Sequence, residues 1–462
     1  MNVPVVYLFS ILAAPALLPM DDIWFSRCAP CHGEHADGNG PAAQFFNSDA
    51  LRFRGNRRWA DPPLAEIADR IARGRPSAGM PAFAGHLTAE QLKRLAGRIR
   101  AWASRSNKDR PSADDEWWLR PLQDGGGLAL SMIGSRVIPQ TMEGLSAQVC
   151  GRYHLDKLSH WSESRHAAAV GPGLLGQYHG FSKESRTRCD GCHAPLASQA
   201  NDGALHSEGV TCAVCHVRHG RKHGPPRLDF KETESWVRGK SSFLRSDFCL
   251  SCHNLPLSEA VNGRPLLDTW REWASSQYLP QGVQCQSCHI KNGEHRFAGA
   301  HHLEMVQEAI RVELSPLLEA GGVLTWRIAI SNIGAGHHFP TTATPRALVR
   351  IRQLEGEKPV NLGQQDWFIG RLVHRKDGQW FEEADTRIPA GATWTRTYQK
   401  PLSARADGID VTVYFYPDWL YVGVYESLLK TPGTEIGRDA IRRALKDAGE
   451  SAMTLFYQRV EL

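Results

Sequence analysis

Five copies of one short motif constrain this chain more than any other feature of its sequence. Each copy reads Cys-x-x-Cys-His, and the copies lie at positions 28–32, 189–193, 212–216, 249–253 and 285–289. Two thiols at this spacing reach the two vinyl groups of one porphyrin, and the adjacent imidazole falls beneath the iron as its proximal ligand. The motif therefore predicts five covalently attached c-type haems.

These haem boxes account for ten of the eleven cysteines. The predicted attachment residues are Cys28, Cys31, Cys189, Cys192, Cys212, Cys215, Cys249, Cys252, Cys285 and Cys288. The predicted proximal iron ligands are His32, His193, His216, His253 and His289. Zinc is the main alternative, because the four cysteines between 189 and 215 have the spacing of a zinc ribbon. Neither zinc nor a set of disulfides, however, requires a histidine after every second cysteine.

The charge of the polypeptide is nearly balanced and does not predict a nucleic-acid partner. The chain has 54 Lys and Arg against 49 Asp and Glu, which gives a formal net charge of +5. Five haems would add about −10 from their propionates and make the assembled protein neutral to acidic. We therefore expect neither nucleic acid nor an anionic membrane as a partner.

The first twenty residues predict export from the cytoplasm. Residues 3–19 are apolar and uncharged, and Ala14-Pro15-Ala16 offers a small-residue cleavage pattern. A retained anchor is the alternative, although the segment is short and interrupted by proline. Covalent haem attachment takes place outside the cytoplasm. We therefore expect a signal peptide at 1–20 and a periplasmic or otherwise extracytoplasmic protein.

The first box lies in a segment, 21–106, that predicts a small helical domain. Apolar residues recur at helical spacing, and Thr88 with Gln91 predicts a capping box. The segment resembles a class I cytochrome c, an all-α monohaem domain. In that family a methionine before a proline supplies the sixth iron ligand, which implies Met80 opposite His32. A core methionine is the ordinary alternative, and a thioether ligand would make this haem the high-potential one.

A linker and a degenerate box follow this domain. Residues 104–127 are polar and rich in turn-forming residues, which predicts a linker at 107–140. Cys150-Gly-Arg-Tyr153-His154 then resembles a haem box whose second cysteine has become a tyrosine. Three interpretations stay open: a lost haem site with a leftover thiol, a haem held by one thioether, or a reactive or ligating thiol.

Residues 141–308 hold the four remaining boxes and predict a tetrahaem domain. Trp-x-x-Ser-x-His at 161–166 is echoed by Trp-x-x-Ser-x-Tyr at 273–278, and a Gly-Val pair precedes a box after both copies. These motifs resemble multihaem proteins of the cytochrome c-554 type, which are related to hydroxylamine-oxidoreductase-like proteins. About 25 residues per haem are too few for an ordinary side-chain core, so we expect short helices and irregular chain around the porphyrins.

Histidines outside the boxes must supply the distal ligands of this group. The resemblance implies His166, in the repeat, and His223, shortly after the second box of the group. His295 and His301 are further candidates, and an exposed loop histidine is the alternative for each. Weaker candidates are His154, His160, His179, His206 and His219.

The two copies of the repeat differ at their last position, where Tyr278 stands in place of His166. We therefore expect one iron of the group to have an open or unusual sixth position. Because the sixth ligand decides between ligand binding, activation and electron transfer, reactivity would concentrate there. Tyr278 and Cys150 are the candidate catalytic residues beside it.

Residues 309–462 predict a β-sandwich. Apolar and polar residues alternate over 323–331, 347–352 and 410–416, with Gly and Pro turns between them. A short helix at 434–447 and a final strand would end the domain. The stretch that contains His337 and His338 resembles a loop of β-domains fused to multihaem proteins. The resemblance implies that one of these two histidines reaches a haem, and a surface role is the alternative.

The whole pattern predicts a multidomain pentahaem cytochrome that transfers electrons. Its partners would be redox proteins, such as other cytochromes or a membrane electron-transfer complex. The alternative is a multihaem oxidoreductase that acts on a small nitrogen or sulfur compound at an open haem, with the first domain as electron relay. A third interpretation, compatible with the first, is a haem scaffold whose β-domain docks an outer-membrane conduit.

Overall fold

The computed structural model describes residues 23–46, 51–105, 142–218, 221–225, 237–239, 241–376, 379–431 and 436–462. The predicted signal peptide at 1–20 and the predicted linker at 107–140 lie outside these residues. The chain divides into two compact units, residues 1–74 with 82–111 and residues 75–81 with 112–462. No described helix is both long enough and apolar enough to cross a membrane.

The first unit is helical, as the sequence predicts. It contains a π-helix at Trp24–Cys28, a 3₁₀ helix at Ala43–Phe45, and the α-helices α1 (Ala29–His32), α2 (Arg57–Ala60), α3 (Leu64–Arg73) and α4 (Ala89–Ala103). The predicted capping box at the start of α4 is confirmed. Thr88 Oγ1 accepts the Gln91 N–H at 3.2 Å, and the Gln91 side chain accepts the Thr88 N–H at 2.8 Å. These bonds satisfy amide groups that a helix start otherwise leaves unpaired.

Aromatic packing joins the two ends of this unit. Trp24 is fully buried, and its ring lies 4.4 Å from that of Trp102, measured between centroids. Trp24 precedes the first box, whereas Trp102 lies in the last turn of α4. The helix that enters the box is therefore fixed against the final helix.

Met80 lies in the segment 75–81, which belongs to the second unit. The segment contains a 3₁₀ helix at Pro76–Ala78. The Arg75 N–H donates to Met80 O at 2.8 Å, and the Met80 N–H donates to Arg75 O at 3.1 Å. Gly79, at a φ of 81°, permits the left-handed turn that brings these groups together. Met80 thus closes a compact turn.

Short helices dominate the part of the second unit that contains the boxes. Its α-helices are α5 (Ala147–Gly151), α6 (Leu155–Ser162), α7 (Pro172–Tyr178), α8 (Lys183–His193), α9 (Gly203–Ser207), α10 (Cys212–His216), α11 (Asp247–His253), α12 (Thr269–Ala274), α13 (Tyr278–Gln281), α14 (Cys285–His289), α15 (Leu303–Ala309), α16 (Trp419–Lys430) and α17 (Arg438–Glu450). Its 3₁₀ helices are Gln199–Asn201, Ser241–Leu244, Leu257–Glu259 and Lys291–Gly293.

Every box ends a helix on its histidine. Helices α8, α10, α11 and α14 each stop there, and α1 of the first unit does the same. Positions i, i+3 and i+4 of a helix share one face. The two thiols and the imidazole of a box are therefore presented together, on the same side of one helical turn.

The sequence repeat is reproduced as a structural repeat. Trp161 Nε1 donates to Val210 O at 2.8 Å, and Trp273 Nε1 donates to Val283 O at 3.0 Å. In each copy the serine three positions after the tryptophan donates its hydroxyl to the tryptophan carbonyl, at 2.6 and 2.7 Å. Both buried indoles thus bind the backbone two residues before a box.

The strands are β1 (Val217–Arg218), β2 (Arg221–Gly224), β3 (Val237–Gly239), β4 (Ala260–Val261), β5 (Arg264–Pro265), β6 (Ile310–Ala320), β7 (Val323–Asn332), β8 (Arg346–Glu355), β9 (Lys358–Pro359), β10 (Gln365–Lys376), β11 (Gln379–Asp385), β12 (Thr393–Pro401), β13 (Gly408–Tyr416) and β14 (Met453–Glu461). The strands predicted at 323–331, 347–352 and 410–416 are confirmed as β7, β8 and β13. The predicted terminal helix and strand are present as α17 and β14.

Two antiparallel sheets form the C-terminal region. One has the strand order β11-β10-β8-β13-β14, with β9 paired to β8, and the other has the order β12-β7-β6. Both contribute to one hydrophobic core, in which Ile328 and Ile330 of β7 meet Val349 and Ile351 of β8. Burial of each such side chain contributes roughly 1.5–3 kcal/mol, so this region has an ordinary side-chain core.

Buried arginines tie the C-terminal region to segments that lie between the last two boxes. Arg387 Nη1 donates to Glu272 Oε1, in α12, at 2.6 Å. Arg371, fully buried in β10, donates to the carbonyls of Val261 and Arg264 at 3.0 and 2.8 Å. The β4–β5 hairpin and α12 are thereby fixed against the larger sheet.

Candidate functional site

The first box places its histidine in an apolar, aromatic setting. His32 Nδ1 donates to Leu51 O at 2.7 Å, and its ring stacks on Phe53 with centroids 4.4 Å apart. Burial lowers the pKa of His32 to about 4, so its imidazole is neutral at pH 7. Since Nδ1 is bound to the backbone, Nε2 is the nitrogen left to bind a metal.

The same backbone bond recurs at three boxes of the second unit. Nδ1 of His193 donates to Ala169 O at 2.7 Å, that of His216 to His223 O at 2.8 Å, and that of His289 to Ala298 O at 2.6 Å. A carbonyl acceptor at Nδ1 fixes both the ring orientation and the tautomer. These rings are therefore held in the form that an iron ligand requires.

Three box histidines face a second imidazole ring. The ring centroids of His216 and His295 lie 6.2 Å apart at 28°, and those of His289 and His337 lie 6.4 Å apart at 13°. The rings of His253 and His166 lie 6.2 Å apart at 70°. In each pair a box histidine meets a histidine from outside the boxes. The second rings are those of His166, His295 and His337, which are all candidates of the sequence analysis.

This spacing fits an iron ion between the two rings. A metal–nitrogen bond is about 2.0 Å long and the nitrogen lies about 1.1 Å from the ring centre, so two opposed ligands would be roughly 6.2 Å apart. Nδ1 of His295 donates to Gly293 O and that of His337 to His338 O, both at 2.9 Å. Nε2 therefore remains for the metal on these distal rings also.

Five of the six paired imidazoles are neutral at pH 7. Burial lowers the pKa of His166 to about 3 and that of His253 to about 4. Burial also lowers the pKa values of His289, His295 and His337. Only a neutral imidazole has a lone pair for a metal. The lowered pKa values and the spacing of the rings are therefore both consistent with metal ligation.

His193 is arranged differently from the other box histidines of the second unit. Among the described residues, no second imidazole faces it at the spacing of the three pairs. On the same helix, Asp190 accepts a hydrogen bond from His206 Nε2 at 2.9 Å and another from the Tyr178 hydroxyl. His206 is therefore engaged by a carboxylate rather than placed opposite His193.

Other candidate histidines are placed in different roles. The buried His223 contributes its backbone carbonyl to His216. His301 Nε2 lies 2.8 Å from Asp418 Oδ2, so the structure pairs it with a carboxylate and not with a box histidine. His338 Nδ1 lies 3.4 Å from Glu272 Oε1. His219 is outside the described residues.

Thiols of different boxes meet one another. The thiol of Cys192 neighbours that of Cys252, and the thiol of Cys249 neighbours that of Cys285. Cys150 meets Cys212 in the same way. The thiol of the degenerate box therefore meets a thiol of an intact box, just as the thiols of neighbouring intact boxes meet each other.

The cysteines with zinc-ribbon spacing are not gathered into a metal site. Within the described ranges, no group of three or more His, Cys, Asp or Glu side chains is arranged to hold a metal ion by itself. In the second unit, the two thiols of each box instead lie on one helix, and each box has its own helix.

Tyr278 is covered by the loop that contributes His337. Its hydroxyl donates to Ile333 O at 3.2 Å. A Cβ on Gly336 would lie 3.4 Å from the Tyr278 ring and 3.2 Å from that of Trp273. The loop 332–340 therefore packs on the repeat motif that lacks a histidine, and it brings a histidine of its own to the adjacent box.

A polar cluster near Cys189 has no sequence motif. Asp418 precedes α16, binds His301, and interacts electrostatically with Arg165. Tyr421, one turn into α16, interacts electrostatically with Asp418, Arg165 and the Cys189 thiol. These residues are widely separated in sequence, so no spacing pattern reveals them.

Comparison with known proteins agrees with an N-terminal cytochrome c domain. Residues 16–97 match the family model described as cytochrome C oxidase, cbb3-type, subunit III. No curated protein matches the chain significantly in sequence.

A solved structure shares the fold of most of the chain. This is a penta-heme cytochrome c552 from Thermochromatium tepidum, with a TM-score of 0.51 and 17% sequence identity. The match covers 69% of this chain and 98% of that one. Since the first unit holds less than a quarter of the residues, the shared fold lies mostly in the second unit.

Proposed function

We propose that this chain is a pentahaem c-type cytochrome that transfers electrons outside the cytoplasm. The observation that carries the proposal is the spacing of 6.2–6.4 Å in three imidazole pairs. Two neutral, opposed imidazoles are suitable axial ligands for an electron-transfer haem. The N-terminal cytochrome c domain and the fold shared with a penta-heme cytochrome support it.

The proposed axial ligand pairs are His253 with His166, His216 with His295, and His289 with His337. His32 would pair with Met80, which rests on the resemblance of the first domain to class I cytochromes. All ten box cysteines would form thioethers. In this proposal 21–106 is the monohaem domain, 141–308 is a tetrahaem domain of the cytochrome c-554 type, and the two sheets of 309–462 form a β-sandwich.

Bound haem would supply an iron that alternates between ferric and ferrous states. The residues of the chain hold its ligands in place. Backbone carbonyls at Ala298 and Gly293 fix the rings of His289 and His295 from behind. Rings held in this way keep one geometry in both oxidation states, which favours rapid electron exchange.

The ligand sites are adjacent to one another. The contact of Cys192 with Cys252 joins the His193 and His253 boxes, and that of Cys249 with Cys285 joins the His253 and His289 boxes. The ring of Phe297 lies 4.4 Å from that of His166 and 5.8 Å from that of His295. The site of His253 therefore borders the other three, and we propose it as their junction.

The proposed partners are other redox proteins. An open cleft in the first unit is lined by Arg52, Arg54, Arg57 and Arg105. A basic surface of this kind favours encounter with an acidic partner at low ionic strength. Export through a signal peptide at 1–20 would place the protein with such partners, because haem attachment requires an extracytoplasmic compartment.

Haem counting and spin state test this function. Mass spectrometry of the denatured chain should show five covalent haems. His166→Ala and His295→Ala should each convert one low-spin ferric haem to high spin in electron paramagnetic resonance spectra. His374→Ala, on β10 and away from the boxes, is the matched control and should change nothing. Fewer than five haems, or unchanged spectra in both variants, would contradict the proposal.

A second function is favoured by one observation, the lack of an imidazole opposite His193 among the described residues. The protein would then be a multihaem oxidoreductase that acts on a small nitrogen or sulfur compound, with the first domain as electron relay. Tyr278 and Cys150, the sequence-based candidates for that site, lie beside other boxes. The site near His193 is therefore a better location for the open haem of such an enzyme.

A further inference from the structure

A cluster of arginines in the first unit lies apart from the haem box. The open cleft of this unit has a volume of about 810 Å³, and its lining includes Arg52, Arg54, Arg57 and Arg105 together with Asp61. None of the described residues of the first box lines the cleft. The cleft is therefore a site separate from the one that would hold the porphyrin.

The charge of the cleft is not balanced by nearby carboxylates. Elsewhere in the first unit an arginine pairs with an acid on its own helix, as Arg70 does with Glu66 at 2.6 Å. Among the described residues, Arg52, Arg57 and Arg105 have no ion pair of this kind, and all three are exposed. Four guanidinium groups against one carboxylate leave an excess of positive charge in a concave site. Such a site attracts anions.

Arg54 gives the cleft a fixed donor. It is only 4% exposed, and its Nε donates to His35 O at 3.0 Å. A guanidinium carries five N–H donors, so this bond leaves other donors for a ligand. Because the side chain is already held in place, it loses little conformational freedom when an anion binds.

The segment that carries two of these arginines also holds the first box histidine. Leu51 O accepts the bond from His32 Nδ1 at 2.7 Å, and Phe53 stacks on the His32 ring at 4.4 Å. Arg52 lies between these two residues in the chain, and Arg54 follows them. The cleft is therefore adjacent to the proximal side of the His32 site. An anion bound there would act electrostatically on an iron held by His32.

We propose that this cleft binds a soluble, multivalent anion of the phosphate class, and that binding lowers the reduction potential of the first haem. A planar guanidinium matches the oxygens of phosphate, which it binds through two parallel hydrogen bonds. Ferric haem carries one more positive charge than ferrous haem, so it attracts the anion more strongly. By linkage, an anion that prefers the ferric form lowers the potential. The inference rests on the proposed haem at Cys28 and Cys31, and it adds a small ligand to the cleft that the proposed function gives to an acidic partner.

Pyrophosphate is the probe, titrated calorimetrically into the holoprotein at an ionic strength held constant with chloride. The fully oxidised wild type should bind it about threefold or more tightly than the fully reduced protein. A threefold preference corresponds to a fall of about 28 mV in potential at saturation, since a tenfold change is 59 mV for one electron. Arg52→Gln and Arg105→Gln should each weaken binding by about fivefold or more, because a hydrogen bond to an anion is lost.

Arg94→Gln is the matched control. Arg94 is exposed on α4 of the same unit and does not line the cleft. Its loss changes the net charge by the same amount, and pyrophosphate affinity should stay within about twofold of wild type because the salt screens a distant charge. Equal weakening in Arg94→Gln, Arg52→Gln and Arg105→Gln would show an effect of net charge alone and would overturn the site.

A lipid headgroup presents the same phosphate chemistry on a flat surface. Vesicles of phosphatidylglycerol should therefore not carry the holoprotein down on sedimentation, because a concave cleft is matched to a small ligand. Sedimentation with these vesicles, without binding of free pyrophosphate, would contradict a soluble ligand.

Haem content separates this inference from the proposed function. If the denatured chain lacks the haem of the first box, the proposed function itself fails. If all five haems are attached and pyrophosphate does not bind, only the anion site is refuted. Equal affinity for the oxidised and reduced proteins would refute the coupling to the potential.

Discussion

The neighbouring histidines 337 and 338 differ in the groups that their rings contact. His337 Nδ1 donates to the carbonyl of His338, and its ring faces that of His289 at 6.4 Å. His338 Nδ1 instead lies 3.4 Å from the buried Glu272. Both are histidines on one loop, so their chemistry is set by which atom each presents to its surroundings.

This difference predicts unequal effects of substitution. His337→Ala should leave one haem without its distal ligand and convert it from low to high spin. His338→Gln is the matched control and should leave the wild-type spectrum unchanged. Electron paramagnetic resonance of the ferric proteins measures both, and identical spectra for the two variants would refute the assignment of His337.

Met80 gives a second prediction for a single residue. If it binds the iron of the first domain, the ferric protein should show the weak near-infrared band of a sulfur-to-iron bond. Met80→Ala should abolish this band and lower the potential of that haem, because a thioether raises it. Met305→Ala, in α15, is the control and should keep the band. A band that survives in Met80→Ala would exclude Met80 as the ligand.

Cys150 gives a third prediction. Its contact with Cys212 resembles the contacts between true boxes, which favours a former haem site with a leftover thiol. Wild type and Cys150→Ser should therefore carry the same five haems by mass. A sixth haem that disappears in Cys150→Ser would show a single thioether instead.

The loop 332–340 brings a histidine to the copy of the repeat that lacks one. In the first copy of the repeat, His166 faces a box histidine, whereas Tyr278 occupies its position in the second copy. The loop packs on Tyr278 through Gly336 and presents His337 to the box that follows. The sheet region therefore completes a site of the helical region.

The course of this loop depends on Gly334. A Cβ at this position would lie 2.2 Å from Glu308 O, a backbone atom that has no room to move. Gly334→Ala should displace the loop and raise the high-spin fraction of one haem. Gly449→Ala, where a Cβ meets nothing within 4 Å, is the control and should leave the spectrum unchanged. A Gly334→Ala protein with the same high-spin fraction as wild type would show that the loop tolerates displacement.

The sequence predicts the elements that have a local signature. The boxes, the capping box of α4 and the strands β7, β8 and β13 all follow from spacing or alternation, because each depends on residues close in the chain. The tryptophan–serine repeat is also visible in the sequence, and its two copies form the same hydrogen bonds. His166, His295 and His337 are placed opposite box histidines, although spacing alone did not distinguish them from His301.

Other features depend on contacts between distant segments and have no such signature. Helix α16 is apolar on nearly all sides, so it lacks the 3.6-residue period that reveals a helix. Asp418 binds His301 across 117 positions of sequence, and this contact removes His301 from the set of facing imidazoles. The cluster around Tyr421 was missed for the same reason.

At the scale of the whole molecule, two regions of the second unit are stabilised in different ways. The sheets have a conventional apolar core, whereas about 25 residues per haem leave the box region dependent on its cofactors. Glu272 connects the two regions. Its carboxylate accepts the Thr341 hydroxyl at 2.9 Å and the His338 N–H at 3.2 Å, beside the Arg387 guanidinium.

The last prediction concerns this connection. Arg387 and Glu272 are almost fully buried, with side-chain exposures of 1% and 4%. Arg387→Met would leave a buried carboxylate without its cation, which costs about 3–5 kcal/mol of unfolding free energy. Arg350→Met is the matched control: its pair with Asp366 is 28% exposed on each side, and its loss should cost less than about 1 kcal/mol. Denaturant unfolding of the holoproteins, followed by haem absorbance and by tryptophan fluorescence, measures both. Because Glu272 also holds the loop that bears His337, Arg387→Met should in addition raise the high-spin fraction before global unfolding. Equal destabilisation in the two variants would show that the buried ion pair does not couple the sheets to the haem ligands.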